Sequence, residues 1–346
     1  MNLLSRPWRC AKRWSRLPAN WRIFLSDNIY CGIDIGGTTI NIGTVTSHGD
    51  LLSEQHIASD VRNGVDDVVQ RISHAVQRCA EMASDTKRMS SVGIGIAGLV
   101  DTQRGVLREA TNLPGWMNVP LAAALQEQLN VPVTIDNDAN VAALGEYKFG
   151  AGRGYPYLMM VTLGTGVGAG LIFNGRIFHG AFDAAGEFGH ITIDKNGPKC
   201  GCGRRGCVEA YVGTRGILRT VKQNLPKYPS SSLAAIDISK LTPKDIYRQA
   251  QAGDDLARAV FHIVGENLGY GLGSVVNLLN IQRIILGGGV AAAAEFIIDS
   301  AQKTLDVVSL KNAEEPVKIV RGALGGHAGI IGAASLAMAA INPNSN

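Results

Sequence analysis

The chain has 346 residues, 46% of them hydrophobic and 18% charged, with 42 glycines and 6 cysteines. That is a globular, water-compatible composition with length enough for two domains, and it excludes a disulfide scaffold and a low-complexity linker. The net charge of +4 misleads, because Arg6, Arg9, Lys12, Arg13, Arg16 and Arg22 face Asp27 alone in the first 28 residues; the remainder is near neutral and offers no nucleic-acid surface.

Residues 1–28 are Arg-rich, carry Trp8, Trp14 and Trp21, and lack the apolar run of a signal peptide. The expectation is a basic, disordered extension; a membrane-surface tail or transit-like segment is the competing reading. Regular structure begins at Ile29. IYCGIDI (29–35) reads as a buried strand, GGT (36–38) as a turn, TINIGTV (39–45) as a second strand and LLSEQHI (51–57) as a third. Val65, Val68, Val69, Ile72, Val76 and Cys79 recur at helical steps, with Asp66 and Asp67 in the first turn. SVGIGIAG (91–98) is a buried strand ending in a glycine loop; 120–130 reads as a helix, VPVTID (131–136) as a strand, and Asp138 opens another helix.

The second half repeats this plan. YLMMVTL (157–163), a GTGVG turn and AGLIF (169–173) precede an Asn174-Gly175 hairpin. Helical stretches follow near 214–224, 243–252 and 254–279, then the strand QRIILGGGV (282–290), a helix, the strand PVKIV (316–320) and a closing helix over 324–340. The closing segment is uncharged from Gly322 onward, yet its Gly and Ala content and His327 fit a packed terminal helix better than a membrane span.

Two strand–glycine turn–strand units facing one another make a cleft lined by both turns. LGTGVGA nearly matches a dinucleotide fingerprint, but a strand follows it where that fingerprint needs a helix. Such turns can still present N–H and hydroxyl donors to phosphate oxygens, although either one alone reads equally well as a hairpin corner. Asp34 stands beside the first turn, where a carboxylate can hold magnesium directly or through water. Asp138 begins a helix and reads by itself as an N-cap; Asn137 and Asn140 add amides suited to pairing hydroxyls. His190, Cys200, Cys202 and Cys207 follow the spacing H-x9-C-x-C-x4-C, a ligand set for a four-coordinate structural zinc, with Glu187 and Glu209 flanking it. Unliganded thiols are the alternative. Three cysteines gathered around one histidine suit a reducing compartment.

The ordered motifs DIGGT (34–38), NLPGW (112–116), DNDAN (136–140), TLGTGVGAG (162–170), GEFGHITIDKNGPKCGCGRRGCVEA (186–210) and LGGGV (286–290) resemble the ROK family of sugar kinases and repressors. The resemblance covers about residues 29–340 and is closest to the family's bacterial glucokinase-type members. It implies an α/β fold of the two-domain hexokinase–actin–Hsp70 (ribonuclease H-like) type, with an interdomain cleft and a zinc loop at 190–207. Residues 29–140 with 325–346 would form the smaller domain and 141–324 the larger. The implied activity is ATP-dependent phosphorylation of a hexose, glucose first; N-acetylmannosamine, N-acetylglucosamine, fructose and allose are alternative acceptors, polyphosphate an alternative donor, and a non-catalytic sugar sensor the alternative class.

By the same resemblance Asp138 is the general base, and Asn112, Asn137, Glu187, His190 and Glu209 contact the sugar. Gly36, Gly37, Thr38 and Thr39 with Gly164, Thr165, Gly166 and Gly168 hold the nucleotide phosphates, and Gly287 and Gly288 face the adenosine. His190, Cys200, Cys202 and Cys207 bind zinc; ATP and Mg2+ complete the cofactors. Thr39 departs from the Lys that many members carry after GGT. The family's repressors place a helix-turn-helix domain before the first strand, and 28 residues are too few for one. The expected molecule is cytoplasmic and homodimeric, with no nucleic-acid or membrane partner.

Overall fold

The computed structural model describes residues 28–83, 88–110, 113–310 and 315–341. The expectations for residues 1–27 and for Asn112 lie outside that set. Ile- and Val-bearing strands build the first sheet: β1 (Asn28–Ile35), β2 (Thr39–Thr46) and β3 (Leu51–Ala58) pair antiparallel, and β4 (Arg88–Ile96) and β8 (Val133–Asn137) extend it in parallel from the far edge of β1. The order is β3-β2-β1-β4-β8. Helix α1 (Val65–Ala83) covers β2 and β3 with the face its spacing predicts, burying Val68, Val69, Ile72, Val76 and Cys79. Each Val or Ile so buried contributes about 1.5–3 kcal/mol, and Ile72→Ala would cost about 2–5 kcal/mol.

The second sheet repeats the first. β9 (Leu158–Leu163), β10 (Val167–Phe173) and β11 (Arg176–Ile177) form the antiparallel meander, and β12 (Arg283–Gly287) and β13 (Lys318–Arg321) add in parallel. Its order, β11-β10-β9-β12-β13, is again third, second, first, fourth, fifth. Asn174 (φ 52°) and Gly175 (φ 74°) make the expected hairpin turn. This sheet packs on helices α4 (Val208–Val212), α5 (Thr214–Asn224), α6 (Pro243–Gln251), α7 (Asp255–Leu279) and α8 (Ala294–Val308) around one core.

Residues 99–119 differ from expectation. Where the sequence reads as loops, β5 (Leu99–Asp101), β6 (Val106–Glu109) and β7 (Met117–Val119) make a third, antiparallel sheet, which precedes α2 (Leu121–Leu129). Leu107, Leu113, Trp116 and Val119 anchor it to the core under the first sheet.

Two helices lie between the sheets. α3 (Asp138–Phe149) packs on β9 and β10, and the closing helix α9 (Ala328–Ile341) packs on β1, β4 and α3. The glycines of this seam are needed for close approach. A Cβ on Gly32 would lie 1.9 Å from the Ile330 carbonyl oxygen, one on Gly93 1.8 Å from that of Ala333, and one on Gly332 1.8 Å from that of Val141. Small residues therefore bring α9 against its neighbours backbone to backbone, which explains the composition of the uncharged segment. Among the described residues no helix is long and apolar enough to cross a membrane.

Candidate active site

A cavity of about 470 Å³ opens between the two sheets. Asp34 from the end of β1 and Asp138 from the start of α3 line it together with Thr162, Gly287, Gly288, Arg321 and the Gly325–Gly329 turn that leads into α9. The N-terminal ends of α3 and α9 thus meet at one cavity, where the positive ends of the two helix dipoles favour anions. Gly288 is required here: its φ is 82°, and a Cβ would sit 2.5 Å from the Leu163 carbonyl oxygen.

Both carboxyl groups are shifted upward. Burial first, and then the charge of Asp34, push the Asp138 carboxyl up to about 6. Burial also raises Asp34, against a hydrogen bond from Asn41 Nδ2 at 3.2 Å that lowers it. A carboxylate held near 6 is ionised at neutral pH and is a stronger proton acceptor than an ordinary Asp. The helix cap is Asn137 rather than Asp138: its Oδ1 accepts from the N–H groups of Ala139 (2.9 Å) and Asn140 (3.4 Å), and its Nδ2 donates to the Gly98 carbonyl. Asp138 therefore does not serve as the cap, although its Oδ1 accepts from Ala139 N–H. Asn140 turns inward, donating to Asp136 at 2.9 Å.

The two glycine corners occupy equivalent places in the repeated sheets. Gly36 N–H donates to Thr39 O, and Ser59 braces that turn by donating from Oγ to Gly36 O at 2.7 Å and from its N–H to Thr38 O. Gly37, Thr38 and Thr39 are exposed. In the second corner Gly164 N–H donates to Gly166 O. Gly168, by contrast, backs onto Thr162 and Ala139.

The cysteine loop assembles as its spacing predicts. Ligand atoms of His190, Cys200, Cys202 and Cys207 all lie within 4.8 Å of one another. Cys202 Sγ and Cys207 Sγ are 3.7 Å apart, and His190 Nδ1 and Cys200 Sγ 3.8 Å. A tetrahedral zinc with ordinary bond lengths needs about 3.8 Å between sulfurs and about 3.5 Å between sulfur and nitrogen, so the four groups fit that ion. Hydrogen bonds from Arg204 bring the Cys202 thiol down to about 6, into the thiolate form that binds metal. The other imidazole nitrogen, Nε2, faces Glu187 at 4.0 Å. Glu209 Oε1 receives Cys200 Sγ at 3.5 Å and its Oε2 accepts the Val167 N–H at 3.1 Å. Glu209 thus joins the cysteine loop to the strand that leaves the second glycine corner.

Sequence reasoning missed Glu146. It is fully buried, lines the cavity, and its carboxylate accepts the N–H groups of Ala151, Ala323 and Leu324 at 2.8–3.1 Å. The available signal was its place at the end of the alanine-rich stretch ANVAALGE, where a charged side chain on a buried helix needs partners.

The ROK family model matches residues 30–340. The chain belongs to the ROK family. A glucokinase of Halalkalibacterium halodurans is 34% identical over 313 residues, 89% of this chain and 94% of that protein. A glucokinase of Thermotoga maritima is 34% identical over 307 residues, 88% of this chain and 96% of that protein. Among solved structures, a ROK family glucokinase from Streptomyces griseus in complex with glucose and AMPPNP is 35% identical, covers 90% of this chain and 99% of its own, and superposes with a TM-score of 0.76. The expected actin- and hexokinase-like architecture agrees with these likenesses.

Proposed function

We propose that this ROK protein is a sugar kinase that transfers a phosphoryl group from ATP to a hexose, glucose first, giving glucose 6-phosphate. The observation that carries the reading is Asp138: a half-buried carboxyl, raised to about 6, at a cavity flanked by helix N-termini and lined by Gly287 and Gly288. The likeness to glucokinases, one of them solved with glucose and AMPPNP, supports the same acceptor and donor.

In this reading the nucleotide lies in the cavity, with its adenosine against Gly287 and Gly288 and its phosphates toward the corners at Gly36–Thr39 and Gly164–Gly168. Asp34 would hold Mg2+, which supplies charge neutralisation on the phosphoryl group; two carboxyl groups, both raised by burial, are a donor set that favours a cation. The hexose lies against Asn112, Asn137, Glu187, His190 and Glu209. Asp138 accepts the proton of the attacking hydroxyl as the bond to phosphorus forms and the bond to the leaving ADP oxygen breaks. His190, Cys200, Cys202 and Cys207 would hold zinc, a closed structural site that fixes His190 and the loop between Glu187 and Glu209. We assign residues 29–140 with 325–346 to one domain and 141–324 to the other, and propose a cytoplasmic homodimer.

A coupled assay of purified protein with glucose, N-acetylmannosamine, N-acetylglucosamine, fructose and allose, each with ATP and with polyphosphate, tests the reading. Glucose with ATP should give the highest kcat/KM. Turnover of none of these pairs would exclude the kinase.

A further inference from the structure

Residues 178–186 run from β11 to Glu187 and make two contacts across to the first sheet's side of the cleft. His179 Nε2 lies 2.6 Å from Asp136 Oδ2 at the end of β8. The Asp183 carboxylate accepts the backbone N–H of Thr102 at 3.4 Å and its hydroxyl at 3.2 Å, in the turn between β5 and β6. Asp183 holds φ at 55°, a left-handed conformation that Asp adopts more readily than most residues.

Asp136 is 1% exposed. Its Oδ1 accepts the Asn137 N–H at 2.7 Å and Asn140 Nδ2 at 2.9 Å, while its Oδ2 takes His179. One oxygen thus holds the corner that carries Asn137 and Asp138, and the other holds the loop that ends at Glu187. Among the described residues His179 is the one basic side chain paired with Asp136. A carboxylate this deep is costly to leave without a partner, so the contact is under strong pressure to persist. The hydrogen bond to Asp136 raises the His179 pKa above its ordinary value, against the opposing effect of burial.

We propose that His179 is a positioning residue of the hexose site: through Asp136 it sets the Asn137–Asp138 corner and fastens to it the loop that leads to Glu187. The proposal rests on the kinase reading above. Its consequence is a single unit that presents hexose-facing groups from both sides of the cleft in fixed relation. The unit meets the nucleotide cavity at Asp138 alone; the wall made by Gly287, Gly288 and Gly325–Gly329 has no part in it.

The test compares wild type with His179→Leu and His179→Gln. Hexose Kd is measured by calorimetry without nucleotide, and kcat and both KM values by the coupled assay. His179→Leu should raise hexose Kd and KM about tenfold or more, since losing a hydrogen bond to a charged group shifts an equilibrium by about that factor, and should leave the ATP KM within about twofold. His179→Gln, whose amide N–H reaches the same place as Nε2, should recover most of the loss. If the Leu variant does not fold, His179→Asn, one methylene too short to reach Asp136, takes its place. Hexose Kd unchanged in the Leu or Asn variant, hexose and ATP constants rising together, or no recovery in the Gln variant each overturns the proposal. A wild-type chain that binds a hexose without phosphorylating it overturns the kinase reading, while the Kd comparison still decides the role of His179; one that binds no hexose overturns both.

Discussion

Asp138→Asn separates catalysis from stability, because the two should move in opposite directions. The folded-state pKa of about 6 stands against an ordinary value of 3.8. A carboxyl whose folded value lies above its unfolded value binds its proton more tightly in the folded protein. The folded state is therefore favoured at low pH, and that advantage is lost as pH rises from the ordinary value through about 6. At neutral pH the ionised Asp138 then costs on the order of 3 kcal/mol of stability. Asparagine keeps an oxygen for the Ala139 N–H, and the cap at Asn137 is untouched, so helix α3 should start as before. The substitution should raise Tm by a few degrees while it lowers kcat by about 100- to 10,000-fold, the usual contribution of a general base. Hexose binding by calorimetry should persist. In wild type, kcat/KM should fall about tenfold per pH unit well below the Asp138 pKa, with no such limb in the residual activity of the variant. Turnover within tenfold of wild type, or a lowered Tm with full activity, would refute the argument.

Glu146→Gln replaces an acceptor of three N–H groups with a side chain whose amide nitrogen must face at least one of them. The turn before α9 should loosen and the ATP KM rise about tenfold, with hexose Kd unchanged, as steady-state kinetics and calorimetry would show. Removing metal with a chelator should weaken hexose binding more than nucleotide binding, because the thiol cluster adjoins Glu187 and Glu209 and not the Gly287–Gly288 wall; equal losses in the two titrations would mean general unfolding. Gly332→Ala drives a methyl group to within 1.8 Å of the Val141 carbonyl oxygen and should destabilise the protein by about 1–3 kcal/mol or more, read as a lower denaturation midpoint.

Much of the fold was legible because its signals are local. Buried strands are apolar runs rich in Ile, Val, Leu and Met, their turns carry glycine, and α1 shows its apolar period directly. The cysteine loop was legible because its ligand types and spacing are self-sufficient. The sheet at 99–119 was not, since strands of three and four residues are too short to display alternation. The groups that join distant segments were hidden for a different reason. Glu146 meets Leu324 and Asp136 meets His179 across long stretches of chain, and a lone acid carries no mark of its partner. The closing helix read as packing alone; its glycine turn at 325–329 proves to be a wall of the cavity, and only the close crossings of its backbone explain why its residues are so small.

The crossing of α3 and α9 has a mechanical consequence. Where Gly332 rests on Val141 and Gly145 on Ala328 and Gly332, no side chains intervene. Helices that interlock through long side chains can slide by exchanging rotamers, whereas helices that touch main chain to main chain cannot shear without collision. They can only turn about the point of contact. One of them is bound to the sheet of β9 and β10, the other to the sheet of β1 and β4. A rotation of one sheet against the other that kept this contact would turn about it, and would change the cleft more at its mouth than at its floor.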